Sequence, residues 1–309
     1  SPEQFVIITL APGERAAFTR TYRFSADGSV PQDCTGDQII NGNDLSALSS
    51  AWLSAPGRAN WNPSCDVSDP ADDRIDNKDL AALGRVWGHD AAARAPAAYW
   101  PLNEATGMVA QDSVGSYDGS LAAFATDDSQ WVTGHSGGGL EFDGRDDYVE
   151  VEGYPGVCGK NPRAVLAWIK TQGIPGTKLP IIAWGQADRG AYWLLEVDED
   201  QRLRLSCGSG LISANEQQIG DGSWHHVAVV LDPVDSQRPL MSDVLLYVDG
   251  KRRTIYKMEE AEINTGCIEN VRIGRAHGPD NNTFAGTIDE AAIFDMVVGV
   301  AAVQQAYLK

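Results

Sequence analysis

Trp224-His-His-Val-Ala-Val-Val-Leu231 is the stretch that decides the fold of the larger part of this chain, together with Val244-Leu-Leu-Tyr-Val-Asp-Gly-Lys251. Both are rich in β-branched and aromatic residues, and the second ends in an Asp-Gly turn, as is typical of short strands. Similar segments recur from Tyr99 to Lys309 without intervening helical patterns. Several are apolar on both faces, as expected where two sheets pack over each other. The pattern predicts a mainly β chain with an antiparallel sandwich over residues 98–309.

This part of the sequence also resembles the laminin-G-like, concanavalin A-like sandwich (jelly-roll) family. The residues that carry the resemblance, in family order, are Tyr99–Glu104, Gly139–Val149, Arg163–Thr171, Asp221–Ala228, Leu246–Lys251, Val271–Gly274 and Gly286–Phe294. The resemblance implies a lectin fold. Because such folds bind glycans, proteins or no known ligand, function must be argued from a site.

A duplicated acidic loop precedes the sandwich. The spacing of an EF-hand-type calcium loop places oxygen ligands at positions 1, 3, 5, 7, 9 and 12, with a backbone carbonyl at position 7. The first loop supplies Asp33, Thr35, Asp37, Ile39, Asn41 and Asp44. The second, with two extra residues after position 3, supplies Asp66, Ser68, Asp72, Arg74, Asp76 and Asp79. The sequence therefore predicts two Ca²⁺ ions in this module.

Each loop runs into the same helical pattern. The spacing Leu45, Leu48, Trp52 matches the spacing Leu80, Leu83, Trp87, and we expect both apolar faces to be buried. The simpler alternative is two Asp- and Asn-rich turns that cap short helices. Position 6, where glycine normally provides a positive φ, is Gln38 in the first loop and Asp73 in the second.

Residues 31–90 thus resemble the dockerin family, in the form found in planctomycete-type surface proteins with an Asn-Pro-x-Cys-Asp lead-in (Asn62–Asp66 here). The resemblance implies a small all-α module and a cohesin-like partner. Cys34 and Cys65 stand at the entrances of the two loops, and a bridge between them is a candidate.

The resemblance of the sandwich implies a third calcium ion, which joins an early acidic turn to the last strand. Asp112, the Gly144 carbonyl and Asp289 are the candidates for this site. The alternative is that Asp112 and Asp289 only accept hydrogen bonds from turns. Cys158 and Cys267 both precede strands and form a second disulfide candidate, which leaves Cys207 as a free thiol; Asn281 is a glycosylation candidate.

Residues 1–30 read as a strand arm or the remnant of a sandwich domain. Two strands, Phe5–Leu10 and Ala17–Phe24, cannot form a stable sheet alone. They must complete a sheet in this chain, in a removed domain or in a neighbouring subunit, and insertion into a neighbour implies a filament of copies.

Charge and hydropathy limit the partners. The net charge of −19 disfavours nucleic acid, and no apolar run approaches the about 18 residues of a membrane span. With cysteines outside any Cys-x-x-Cys spacing, we expect a secreted protein, extracellular or at the cell surface.

Catalytic patterns are weak. Glu196-Val-Asp198 resembles glucanase carboxylates, but Asp198–Gln201 reads as a hairpin turn, which lacks the fixed carboxylate separation of a glycosidase. Ser136, in a Gly-x-Ser-x-Gly sequence, lies in a loop rather than a strand-turn-helix elbow. His225 and His226 point to opposite faces of a strand, one to the core and one to solvent.

The sequence therefore predicts a non-enzymatic, calcium-binding modular protein that binds a glycan or a surface protein in adhesion. Sugar stacking on Trp184, Tyr192 and Trp193 is one route, although a core role is favoured for these aromatics. The alternatives are a structural subunit of a fibre or surface layer, and an accessory module of a glycoside hydrolase system.

Overall fold

The computed structural model describes residues 34, 42–67, 72–80, 95–187, 190–215, 218–278 and 282–308. The chain divides into two compact units, residues 1–92 and 93–309, and each is described by itself. The strand pair predicted within residues 5–24 lies outside the described residues. Its insertion into a neighbouring subunit therefore stays a prediction.

The first unit contains helix α1 (Gly42–Ser50), a 3-10 turn (Pro63–Cys65) and a helical turn at residues 77–80. Its small apolar cluster includes Leu48 of α1 and Ile75 of the second acidic loop, which are 1% and 0% exposed. The Ile75 backbone donates to Ser54 at 3.1 Å and accepts from Leu53 at 2.8 Å. These bonds tie the loop to the chain that follows α1.

The apolar faces predicted for the two helices are only partly buried. Leu48 is in the cluster, but Leu45 and Leu80 are 39% and 42% exposed, so the expectation that they are buried is wrong. Helix α1 ends before Trp52, which packs half-buried against the cluster from the following turn. Two residues of the second predicted face lie outside the described residues, Leu83 and Trp87.

The second unit is a sandwich of two antiparallel sheets, as predicted. The eight-stranded sheet has the spatial order β14 (Lys251–Arg252), β13 (Val244–Val248), β12 (Trp224–Leu231), β7 (Arg163–Lys170), β17 (Ala285–Phe294), β5 (Gly138–Asp143) and β4 (Trp131–Thr133), with β1 (Ala98–Trp100) also paired to β17.

The nine-stranded sheet has the order β15 (Ile255–Glu259), β11 (Leu211–Ala214), β10 (Leu203–Ser206), β9 (Tyr192–Val197), β8 (Leu179–Gly185), β16 (Val271–Ile273), β6 (Tyr148–Val151), β3 (Gly119–Ala122) and β2 (Val109–Ala110). A 3-10 turn (Met241–Asp243) precedes β13, and helix α2 (Val300–Tyr307) follows β17.

The core lies between the sheets and takes alternate residues of each strand. In β7, Val165, Ala167 and Ile169 face this core, whereas Ala164 and Leu166 lie in a second apolar cluster with residues of α2. Helix α2 therefore covers one outer face. This explains why strands such as β7 and β12 are apolar on both faces.

Candidate functional site

The second acidic loop is folded around its own carboxylates. Asp66 accepts hydrogen bonds from the backbone N–H groups of Asp72 and Asp73 at 3.3 and 2.9 Å. Asp79 is fully buried and accepts from Val67 at 2.8 Å and from Asp76 at 2.9 Å. Asp66 and Asp79, at loop positions 1 and 12, thus hold the two ends of the loop through backbone hydrogen bonds.

The electrostatics of this loop suit a cation. Burial raises the pKa of Asp66 above its ordinary value, and the negative charges of Asp79 and Asp72 raise it further against two backbone hydrogen bonds. Asp72 Oδ2 pairs with Lys78 at 2.7 Å, but its buried Oδ1 has no hydrogen-bond partner among the described residues. An unsatisfied carboxylate oxygen in an acidic loop suits a hard divalent cation.

The backbone of the loop supports the same assignment. Asp73, at position 6, has a φ of +58°, the conformation that glycine usually supplies there. Asp76 caps the helical turn by accepting from Lys78 N–H at 2.8 Å. Arg74 is in place at position 7, whereas Ser68 lies outside the described residues.

The structure describes only part of the first loop. Its predicted ligands Asp33, Thr35, Asp37, Ile39 and Asn41 lie outside the described residues, and Asp44 is described only as part of α1. Cys34 and Cys65 are both buried in the apolar cluster of the first unit, and the bridge between them stays a prediction.

The structure does not bring the three predicted calcium ligands of the sandwich together. Asp112 accepts from the backbone of Tyr99, Val114 and Tyr117 at 3.0 to 3.1 Å, so its oxygens hold a turn. Gly144 lies beside Ala285, four residues and about 13 Å of extended strand from Asp289.

Asp289 instead fixes the loop between β4 and β5. Its Oδ2 accepts from the backbone of His135 at 2.8 Å and of Ser136 at 3.0 Å, while the buried Oδ1 has no partner among the described residues. Burial raises the pKa of Asp289 to about 6. The alternative of turn-binding carboxylates therefore describes Asp112 and Asp289 better than a shared ion does.

A different acidic group stands at the β5–β6 hairpin. Ligand atoms of Asp143, Asp146 and Asp147 all lie within 4.8 Å of one another, and Asp147 accepts from the Asp143 backbone at 2.9 Å. In the sequence, these residues belong to a segment that marks the family, and no metal site is predicted from them. The run Asp143-Gly-Arg-Asp-Asp147 was the available signal.

The glucanase-like carboxylates are held by other side chains. Glu196 of β9 pairs with Arg204 of β10 at 2.8 Å, and Glu199 pairs with the same guanidinium at 2.9 Å. Asp198 accepts from Ser213 Oγ at 3.0 Å and from the Arg202 backbone at 2.9 Å. Residues 198–202 form the hairpin turn between β9 and β10.

The remaining sequence candidates have structural contacts. His135-Ser136 is a loop, as expected, and the His135 ring stacks on Trp168 at 3.4 Å between centroids. The expectation that one of the two adjacent histidines faces solvent is wrong. His225 is 6% exposed between Asp221 and Asp249, and His226 is 2% exposed against Trp168.

The aromatics of β8 and β9 are buried rather than available for sugars. Trp184 and Trp193 are fully buried and stack on each other at 5.6 Å. Tyr192 is 5% exposed and its hydroxyl accepts from the His277 backbone at 2.6 Å. The hypothesis that a sugar stacks on these three rings is therefore wrong. All three rings are buried.

An open groove of about 500 Å³ lies at the end of the sandwich beyond the β9–β10 hairpin. It is lined by Gln172, Pro175, Glu199, Asp200, Gln201, Arg202, Gln218 and Tyr256. Tyr256, on edge strand β15, is 55% exposed. The Arg202 guanidinium carbon lies 4.2 Å from its ring centroid, and Arg202 Nε has no hydrogen-bond partner among the described residues.

The groove is held by backbone contacts between loops. The Ile219 N–H donates to Gln201 at 2.8 Å, and the Gly176 N–H donates to Glu199 at 3.1 Å. Gln201, with a φ of +66°, places its side chain against Gly173 and Gly220, where a Cβ would collide with it. Gly173 also has a φ of +60°, so glycine suits this position in the wall of the groove.

Comparisons with known proteins agree with this architecture. The laminin G type family profile that is described as the concanavalin A-like lectin/glucanases superfamily matches residues 143–304, more than half of the chain. The chain belongs to this superfamily. The match contains every residue that lines the groove. No curated protein sequence matches the chain.

Three solved structures illustrate the likeness. Domain 4 of the extracellular arabinanase AbnA from Geobacillus stearothermophilus, in complex with arabinotriose, is 17% identical with a TM-score of 0.51, over 68% of this chain and 97% of that domain. A Trypanosoma rangeli sialidase is 13% identical with a TM-score of 0.46, over 69% of this chain and 32% of the sialidase. The binding domain of Paraclostridial Mosquitocidal Protein 1 is 11% identical with a TM-score of 0.48, over 69% of this chain and 52% of that one. At these identities the likeness concerns the fold alone.

The remaining sequence expectations concern the cysteines, the glycosylation candidate and membrane spans. Cys158 and Cys267 form a disulfide, and Cys207 is a buried thiol. Asn281 lies outside the described residues. Among the residues described, no helix combines the length and the apolar content that a membrane crossing needs.

Proposed function

We propose that the sandwich unit is a carbohydrate-binding module of a non-enzymatic, extracellular, calcium-binding protein, and that the groove beside Tyr256 is its binding site. The observation that carries the proposal is the pair formed by the exposed Tyr256 ring and the Arg202 guanidinium, whose Nε lacks a partner among the described residues. An aromatic face beside a guanidinium suits a ring that carries hydroxyl groups.

The lining residues support a sugar rather than a purely apolar ligand. Three amide side chains, those of Gln172, Gln201 and Gln218, offer paired donors and acceptors that match neighbouring sugar hydroxyls. The Tyr256 ring offers an apolar face to the C–H groups of a sugar. The arabinotriose bound to the related arabinanase domain supports the same ligand class.

The non-enzymatic part of the proposal rests on the carboxylates nearest the groove. Glycoside hydrolysis needs two carboxyl groups that flank one bond at a fixed separation. Here Glu196 and Glu199 share Arg204, and Asp198 accepts from Ser213, so these oxygens serve the hairpin.

Calcium belongs to the first unit in this proposal. The negative charges of Asp79 and Asp72, which raise the pKa of Asp66, and the unsatisfied Asp72 Oδ1 support a divalent cation in the second loop. When bound, the ion supplies charge neutralisation there, and we assign it a stabilising role. The duplicated sequence supports a second ion in the first loop, and the dockerin resemblance supports a docking role.

The experiment is a neutral-glycan array probed with the calcium-loaded protein and the Tyr256→Ala variant. We expect binding by the natural protein that is lost in the variant. Val234→Ala, at a residue that is 91% exposed, is the control for a surface truncation and should bind normally. Absence of binding across the array, or equal binding by Tyr256→Ala, contradicts the proposal.

A further inference from the structure

Two arginines share one tyrosine on the outer face of the nine-stranded sheet. In β6, Val149 and Val151 enter the core, so Tyr148 and Glu150 face outward. The guanidinium carbons of Arg272 and Arg275 lie 5.2 and 4.8 Å from the Tyr148 ring centroid. Both positive charges are therefore concentrated at one ring.

Within the described part of the chain, one carboxylate pairs with these two arginines. Arg272 Nε donates to Glu150 at 2.5 Å, and the other oxygen of Glu150 accepts from the Asn270 amide at 3.0 Å. Arg275 forms no ion pair among the described residues, and its buried Nε has no hydrogen-bond partner there. Among the residues that the structure describes, one guanidinium is thus left without a counter-charge.

This is an unusual place for uncompensated positive charge, because the chain carries a net charge of −19. A guanidinium without a paired carboxylate is stabilised by an anion that accepts hydrogen bonds from its terminal N–H groups. A guanidinium offers two parallel N–H groups, which match the paired oxygens of a carboxylate or a sulfate. The local chemistry therefore selects an oxyanion.

We propose that Arg275, with Arg272 and Tyr148, forms a subsite for the oxyanion of an acidic sugar residue. This subsite lies at β16 and β6, five and six strand positions along the sheet from β15, so it is a contact separate from the groove. It rests on the proposed carbohydrate-binding function and adds acidic glycans to the ligands. Arg275 forms the direct contact to the oxyanion. Tyr148 keeps both guanidinium planes in position by stacking, and Glu150 holds Arg272.

The test is a titration with three matched trisaccharides: a glucuronate trimer, its carboxyl-reduced glucose counterpart and a sulfated form of that counterpart. We expect the full chain to bind an anionic trimer about 10-fold or more tightly than the neutral one. The carboxylate and sulfate arms identify which oxyanion is preferred.

Variants separate the charge from the fold. Arg275→Gln should remove the anionic preference and leave neutral-glycan binding unchanged, and Arg275→Lys should retain part of it. Arg252→Gln, which removes one exposed positive charge from the other sheet, is the matched control and should behave like the natural protein. Thermal melting of each variant shows that the fold is kept.

Each outcome decides the proposal. Equal affinity for neutral and anionic trimers overturns the subsite but leaves the neutral-glycan function standing. An anionic preference that persists in Arg275→Gln overturns the role of Arg275. Failure to bind any of the three trimers, or any glycan on the array, overturns both proposals.

Discussion

Glu196 and Arg204 form an ion pair of 2.8 Å across two adjacent strands, and their side chains are only 3% and 4% exposed. The pair lies on the outer face of β9 and β10, because the neighbouring residues Leu195 and Leu205 enter the core. The Glu196 carboxylate is therefore occupied by its ion pair with Arg204 and has a structural role in the wall beside the groove.

Breaking this pair should destabilise the sandwich. Arg204→Met leaves the Glu196 charge buried without its partner, and we expect a loss of about 3–5 kcal/mol in the free energy of unfolding. Replacement of both residues by leucine should restore most of that loss, because no charge is then buried. The measurement is the urea midpoint of the sandwich transition. An Arg204→Met midpoint equal to that of the natural protein contradicts this role.

Calcium should stabilise the first unit through the second acidic loop. At a calcium concentration 100 times its dissociation constant, binding adds about 2.7 kcal/mol to the folded state. We therefore expect protease resistance of residues 42–80 to fall on chelation, and calorimetric calcium binding to weaken in Asp66→Ala and Asp79→Ala. Asp235→Ala, at an exposed loop position, is the control. Unchanged resistance and unchanged titration after chelation would refute this.

The positive φ of Asp73 makes a separate prediction for the same loop. A β-branched residue in the left-handed region costs roughly 1–2 kcal/mol, whereas glycine and asparagine accept it. Asp73→Val should therefore weaken calcium binding, and Asp73→Gly should preserve it. Equal calcium affinities for the valine and glycine variants would show that the loop backbone does not require this conformation.

His226 should make the sandwich less stable in acid. Burial lowers its pKa to about 4, with the charge of His135 as a further cause, so the unfolded chain binds the proton more readily. Its contribution is present above the ordinary pKa of 6.5 and is lost as the pH falls through about 4. Asp289, with a pKa raised to about 6, acts in the opposite direction and loses stability as the pH rises.

The histidine effect can be isolated by comparison with His226→Phe, which retains the ring contact with Trp168. Between pH 7 and pH 4 the natural protein should lose on the order of 2–3 kcal/mol more than this variant. An equal loss of stability in the two proteins between pH 7 and pH 4 would contradict the role of His226 in the loss at low pH.

Much of the sandwich was predictable from local pattern. The predicted strand Trp224–Leu231 is β12 with the same bounds, and Val244–Val248 is β13 followed by its Asp-Gly turn. Strands such as β7 and β12 are apolar on both faces because the core covers one face and α2 covers part of the other. The Cys158–Cys267 bond, in contrast, rests on a separation of 109 residues that sequence pattern left open.

The candidate sites were not predictable in the same way. The groove combines Gln172, Arg202, Gln218 and Tyr256 from separate loops and an edge strand, and no periodicity connects them. Trp184 and Trp193 were candidates for sugar stacking because they are large and aromatic, but the favoured prediction placed them in the core, where both lie. Exposure depends on which face of each strand is covered, and that is set by tertiary packing.

The central claim is that Tyr256 binds sugar with the face of its ring. Its most direct test is a calorimetric titration of the best neutral glycan from the array into the natural protein, Tyr256→Phe and Tyr256→Ala. We predict that phenylalanine retains the affinity to within about threefold and that alanine lowers it about 10-fold or more, because stacking on the ring supplies the binding. Equal affinity for alanine and the natural protein would contradict the account.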